Sequence, residues 1–154
     1  QDLLMHSLLY RTEVLRDGGV PLPSHTFYVD NIFAYVPLPR CKKLFYRDVD
    51  LYRYFIGRQD QSVNESVMVS RYRQQLRITR IMFEAIHLYD EVKSAPLRAY
   101  MLNYLTMMMA ISSLFGHMSE EPESDQLVDE LWRDLASAGL IPETTAPTLP
   151  EEPA

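Results

Sequence analysis

The 154-residue sequence contains a single cysteine, Cys41. One cysteine supplies neither a disulfide framework nor the paired spacing of a zinc site, so a reducing compartment is the default expectation. No basic stretch followed by an apolar core opens the chain, and no secretory signal is visible. A glycine-rich phosphate loop, a His-Glu-x-x-His pair and a serine nucleophile elbow are all missing. His6, His25, His87 and His117 are scattered and suggest no metal cluster. These absences argue against a hydrolase or a metalloenzyme complete within this length. No internal repeat is present. The uncharged run over residues 99–115 is 17 residues long and includes Asn103, Thr106, Ser112 and Ser113. It is too short and too polar for a bilayer span, which predicts a buried helix.

What is present is enough for one sizeable core: 47% of the residues are hydrophobic. The sequence opens on Gln1 and runs at once into an amphipathic pattern, which predicts a segment of a longer polypeptide. The net charge of −6 hides an asymmetry: residues 119–154 carry ten acidic residues and one basic, Arg133, whereas residues 1–118 carry fourteen basic and eleven acidic. Between residues 40 and 80, ten basic residues stand against Asp48, Asp50, Asp60 and Glu65. That middle segment favours an anionic ligand, and the acidic end favours solubility.

Leu3, Leu4, Leu8, Leu9 and Leu15 recur at helical spacing up to Gly18-Gly19, predicting a helix over 3–16. After a proline-containing loop, Phe27, Ile32, Phe33, Tyr35 and Val36 predict a second helix, capped by Ser24 or Thr26 and ended by Pro37 and Pro39. The aromatic runs 43–47 and 51–56 read as two short β-strands, which cannot form a stable sheet unaided. Ser62-Val-Asn-Glu65 has capping-box spacing and predicts one helix from there to about Leu88. Ser94-Ala-Pro96 opens another, ending at Gly116. A last helix covers about 122–138 with Gly139 beyond, followed by an acidic, proline-rich tail unable to pack.

Two groups of residues are candidates for chemistry. Asp30, flanked by Phe27, Tyr28, Ile32 and Phe33, is either a partly desolvated carboxylate suited to general base work or a helix-start acid favoured by the dipole. Arg58, Gln61 and Ser62 are either a phosphate-binding group ahead of a helix or, more simply, a cap with Arg58 pairing to Asp60. Arg73, Arg77 and Arg80 share a helix face, predicted as a solvated stripe with Arg80 paired to Glu84. Met107, Met108 and Met109 read as adaptable core packing.

FYVDNIF (27–33) resembles the acceptor-site region of family 2 glycosyltransferases of the GT-A fold. LYRYFIGRQDQSVN (51–64) is similar to the stretch that follows it in bacterial members making surface polysaccharides. The resemblance covers roughly residues 8–115. It implies that Asp30, matching the Asp of the family's Glu-Asp pair, is the general base that deprotonates an acceptor hydroxyl for inverting displacement. Val29 stands where the Glu would be. Arg58 and Ser62 match the loop near the nucleotide diphosphate, and Gln61 lies within it. Gln74-Gln75-Leu76-Arg77 is faintly similar to the Gln-x-x-Arg-Trp motif, with Ile78 in place of Trp. The family's nucleotide-binding β-α units and Asp-x-Asp metal motif are absent from these residues.

The expected architecture is therefore mainly α (α+β): a helical bundle with two short strands, the C-terminal part of a GT-A enzyme. Residues 1–118 form its acceptor-site segment and helical support, 119–140 an accessory helix, and 141–154 the tail. The resemblance implies a nucleotide-sugar donor, a divalent metal (Mg or Mn) held by the longer parent and not by this portion, and a carbohydrate or lipid-linked acceptor. It further implies a cytoplasmic location at or near the inner face of the membrane, with peripheral membrane contact or self-association left open. The alternative is a helical interaction module without catalysis, whose Met- and Tyr-rich helix binds a partner. A nucleic-acid reading of the basic 40–80 segment ranks behind both.

Overall fold

The computed structural model describes residues 3–50, 52, 53, 55 and 64–141. Among these, seven α-helices account for the regular structure: α1 (Thr12–Asp17), α2 (Val29–Tyr35), α3 (Glu65–Ser70), α4 (Tyr72–Glu84), α5 (Leu88–Glu91), α6 (Ala95–His117) and α7 (Ser124–Ser137). Short 3-10 turns lie at Met5–Ser7 and Leu38–Arg40. The protein is mainly helical, as its periodicities predict.

α4 and α6 form the centre. Their apolar stripes face each other and extend to two further elements, giving two linked cores. In the first, Ile78 and Met82 of α4 and Met101, Tyr104 and Met108 of α6 pack with Ile32 and Tyr35 of α2. In the second, Tyr72, Leu76 and Phe83 meet Leu105, Met109 and Phe115, and α7 closes the cluster with Val128, Leu131 and Leu135. The seam between α4 and α6 is not wholly apolar: the Thr79 and Ser112 hydroxyls bond at 2.8 Å, so neither buried group is orphaned.

α6 begins as its sequence predicts. The Ser94 hydroxyl accepts from the Leu97 amide at 3.5 Å, and Pro96 stands in the first turn where no amide is missed. The methionines Met108 and Met109 are buried, as expected of core packing. No helix among the described residues is long and apolar enough to cross a membrane. Gly116, predicted as the stop, lies inside the helix instead and serves as a contact point. A Cβ there would stand 2.3 Å from Cγ2 of Val128 on α7. Gly116→Ala gains about 1 kcal/mol of helix propensity but drives a methyl into a stiff β-branched side chain. A net loss of about 1–2 kcal/mol is expected in urea melts, with Val128→Ala restoring most of it. An unchanged midpoint would show slack at this crossing.

Four expectations need correction. Residues 3–16 are not one helix: a 3-10 turn and α1 flank non-helical residues 8–11. Leu3 packs on the first core but Leu9 is 95% exposed, so no continuous face supports the helix across both. The predicted 62–88 helix breaks at Arg71 (φ −112°, ψ 17°), ends at Glu84, and is followed by the separate one-turn α5. α3 starts with Asn64 at its N-cap position, while Ser62 lies outside the described residues. Ser24 and Thr26 do not cap α2; the Thr26 hydroxyl bonds to the Ser24 carbonyl instead, at 3.0 Å. Finally, residues 43–47 form no strand. A strand exists only through ladder bonds to a neighbour, and the described residues offer none. The second predicted strand, 51–56, is described only at 52, 53 and 55, none of them in a strand.

α7 was expected as an accessory, yet it supplies three buried residues to the second core. The tail beyond Ile141 lies outside the described residues.

Candidate functional site

Asp30 stands in the first turn of α2, and the chain enters that turn in an unusual way. His25 (φ 51°) and Tyr28 (φ 68°) both adopt the left-handed conformation, with Tyr28 at the N-cap position. For residues with a Cβ this costs about 1–2 kcal/mol each. Such conformations persist where neighbours over-determine them, and they cluster at functional sites.

The neighbours here are specific. The Phe27 amide donates to Oε1 of Gln74 at 2.8 Å, and the Arg71 guanidinium lies 3.5 Å from the centroid of the Phe27 ring. The Asn31 side chain donates to the Tyr28 carbonyl at 3.1 Å and accepts from the Tyr104 hydroxyl at 2.9 Å. The turn is thus held by α4 on one side and α6 on the other.

The Asp30 side chain reaches the surface, but the protein crowds its inner side. That desolvation lifts its carboxyl above the ordinary aspartate value, against the opposing pull of its own and the Asn31 backbone amides and of His6. Among the described residues it has no salt-bridge partner. Burial also raises the Tyr28 phenol, partly offset by Arg71, and the Tyr28 hydroxyl finds no hydrogen-bond partner among the described residues. His6 stacks on Tyr52 with ring centroids 4.2 Å apart, bringing the N-terminal turn and the aromatic segment together. The result is a surface carboxylate with elevated proton affinity, on a fixed turn, beside aromatic rings.

Arg58, Gln61 and Ser62 lie outside the described residues, so Asp30 is the one predicted site residue the structure places. Arg71, Asn31 and Tyr104 were not singled out from sequence, and Gln74 was noted only within the faint Gln-x-x-Arg-Trp similarity. A left-handed N-cap normally announces itself by Gly or Asn, and Tyr28 carries no such signal.

The basic stripe on α4 has a structural role that the spacing rule misplaced. Arg80 pairs not with Glu84 but with Asp134 of α7, at 2.8 Å. Arg73 grips Glu121 at 2.6 Å and also pairs with Glu123, and the Tyr72 hydroxyl donates to Glu121 at 2.9 Å. These contacts draw the acidic C-terminal region onto the basic middle.

Arg73, then Tyr72, holds the Glu121 carboxyl below the usual glutamate value of 4.5. A lowered folded-state pKa contributes stability above the unfolded value and loses it as pH falls through the folded one. The stability gap between wild type and Glu121→Gln is therefore expected at neutral pH and should close on acidification below 4.5. A gap independent of pH in denaturant melts would assign the effect to packing alone.

Among the described residues no group of three or more His, Cys, Asp or Glu side chains gathers where a metal ion could be held. A shallow open groove of about 220 Å³ lies between α5 and the end of α7, lined by His87, Asp90 and Gly139 among others. No protein-family model, curated protein or solved structure matches this chain.

Proposed function

We propose that this chain is the acceptor-side, C-terminal portion of an inverting glycosyltransferase, with Asp30 as its general base. One observation supports this reading most directly: Asp30 is a surface carboxylate with no salt-bridge partner among the described residues, its proton affinity raised by crowding, on a turn held in a costly conformation. A structural helix-start acid needs none of these features. A base that works near neutral pH benefits from all of them.

In the proposed reaction Asp30 takes the proton from an acceptor hydroxyl. The oxygen attacks the anomeric carbon of the donor sugar, and the bond from that carbon to the nucleoside diphosphate breaks with inversion. The donor and a Mg or Mn ion belong to the longer parent in this reading. The described residues offer no ligand set for such an ion. Arg58, Gln61 and Ser62 are proposed to face the diphosphate.

The test is transfer from a panel of nucleotide-sugars to hydroxyl acceptors by a polypeptide that includes the upstream region, comparing wild type with Asp30→Asn. Loss of transfer with an unchanged fold supports the assignment; unchanged turnover overturns it.

An interaction module remains the second reading, relocated. The apolar residues of α6 are largely committed to the cores, whereas Leu44, Phe45 and Tyr46 are 70%, 82% and 70% exposed. Light scattering on wild type and a Leu44→Ser, Phe45→Ser pair tests it. A concentration-dependent mass that the pair abolishes supports this reading, and a strictly monomeric wild type counts against self-association.

A further inference from the structure

Asp30 is positioned by residues more than forty places away in the chain, and the manner of the contact suggests a role for them. Gln74 does not touch Asp30; its amide oxygen takes the backbone N–H of Phe27 at 2.8 Å. Arg71 does not pair with Asp30 either; its guanidinium covers the Phe27 ring at 3.5 Å. Both therefore act on the residue between the two left-handed positions, His25 and Tyr28. Phe27 is 43% exposed, so this is not core packing. Arg71 is also the residue at which α3 and α4 part, and its non-helical backbone lets the side chain leave the helix axis towards the turn.

We infer that Arg71 and Gln74 are positioning residues: they clamp the turn at Phe27 and so fix the place of the Asp30 carboxylate. The inference rests on the reading of Asp30 as a base, but it concerns how that base is held. Without the clamp, the two left-handed residues have reason to relax, and the first turn of α2 loses its fixed entry. The carboxylate would then swing into water.

The groups that face Asp30 are its own and the Asn31 amides, His6 from the N-terminal turn, and Tyr28 from the clamped turn. Arg71, at the break between α3 and α4, acts on Tyr28 instead. This makes two explanations separable by sign. If Arg71 were only a nearby cation, removing it would raise the Asp30 titration midpoint or leave it alone. If it is a clamp, removing it lets water in, and the midpoint falls.

The experiment is a carbon-detected NMR titration of the Asp30 carboxyl in the 154-residue chain. Wild type is compared with Arg71→Ala, with the charge-neutral Gln74→Ala, and with Arg77→Ala as a control on the same helix. The expected result is a fall towards the ordinary 3.8 in the first two variants and no change in the third. A midpoint that rises or stays put in Arg71→Ala and Gln74→Ala overturns the clamp. A second measurement needs no variant: the Phe27 amide should exchange slowly in wild type, and exchange at the rate of a free amide overturns the clamp as well. Failure here leaves the base assignment standing, because the transfer assay reads that separately. Conversely, an Asp30→Asn enzyme with full turnover would remove the base while leaving these titration results intact. In the longer polypeptide, both clamp variants should lower kcat with little change in donor KM.

Discussion

Asp30→Asn is expected to lower sugar transfer by about 10²–10⁴-fold, the usual contribution of a positioned general base. The amide retains the size and nearly the shape of the carboxyl, so acceptor binding should survive. The same variant should be no less stable than wild type at neutral pH. Crowding raises the folded-state pKa of Asp30 above the unfolded one. Such a group is at its most stabilising when protonated, and stability declines as pH rises through the unfolded and then the folded value. At neutral pH the ionised carboxylate therefore works against the fold, and an amide that never ionises removes that cost. The backbone amides and His6 offset part of it, which keeps the expected gain small. Thermal melts of the pair should converge as pH falls below 3.8. A variant that melts clearly lower at neutral pH would make Asp30 a structural helix-start acid. Activity lost together with stability gained is a recurrent mark of a residue kept for function.

Leu131→Ala is expected to cost about 2–5 kcal/mol in denaturant melts, the range for a buried leucine whose cavity cannot fully collapse. Leu131 has no exposed surface and sits where α7 meets the α4–α6 seam. Its neighbours Val128 and Leu135 are fixed on the same helix, so they cannot move in without moving α7 as a whole. The ion pairs at the rim, Arg73 with Glu121 and Arg80 with Asp134, involve partly exposed side chains. Solvent screens pairs of this kind, so they contribute little beside a buried leucine. α7 is therefore anchored by its apolar face and aligned by its charges. A loss below that of an Arg73→Ala, Arg80→Ala double variant would reverse this order.

Much of the bundle was readable because its signals are local. Ser94-Ala-Pro96 opens α6 and Gly139, at φ 71°, follows α7, both where the sequence places them. The placement of Asp30 in a first helical turn was readable for the same reason. What escaped was set by contacts distant in sequence. The break at Arg71 coincides with a partner, Phe27, that no window around residue 71 contains. Arg80 had an acid at helical spacing and took one 54 positions away instead. Gly116 looked like a terminator because close approach and termination both select glycine. The 43–47 run has the composition of a strand, but composition cannot supply the ladder partner that makes one.

That same run is exposed, which bears on contacts between copies of the chain. Leu44, Phe45 and Tyr46 are three consecutive large exposed side chains on a backbone in no ladder among the described residues, the kind of surface that invites edge-to-edge growth. Lys42 and Lys43 precede them and Arg47 follows, so any in-register stacking of copies would bring like charges together. Against such stacking these cations would act as gatekeepers, by electrostatic repulsion. It weakens as salt shortens the reach of charge, so low ionic strength is the condition under which the chain should remain dispersed.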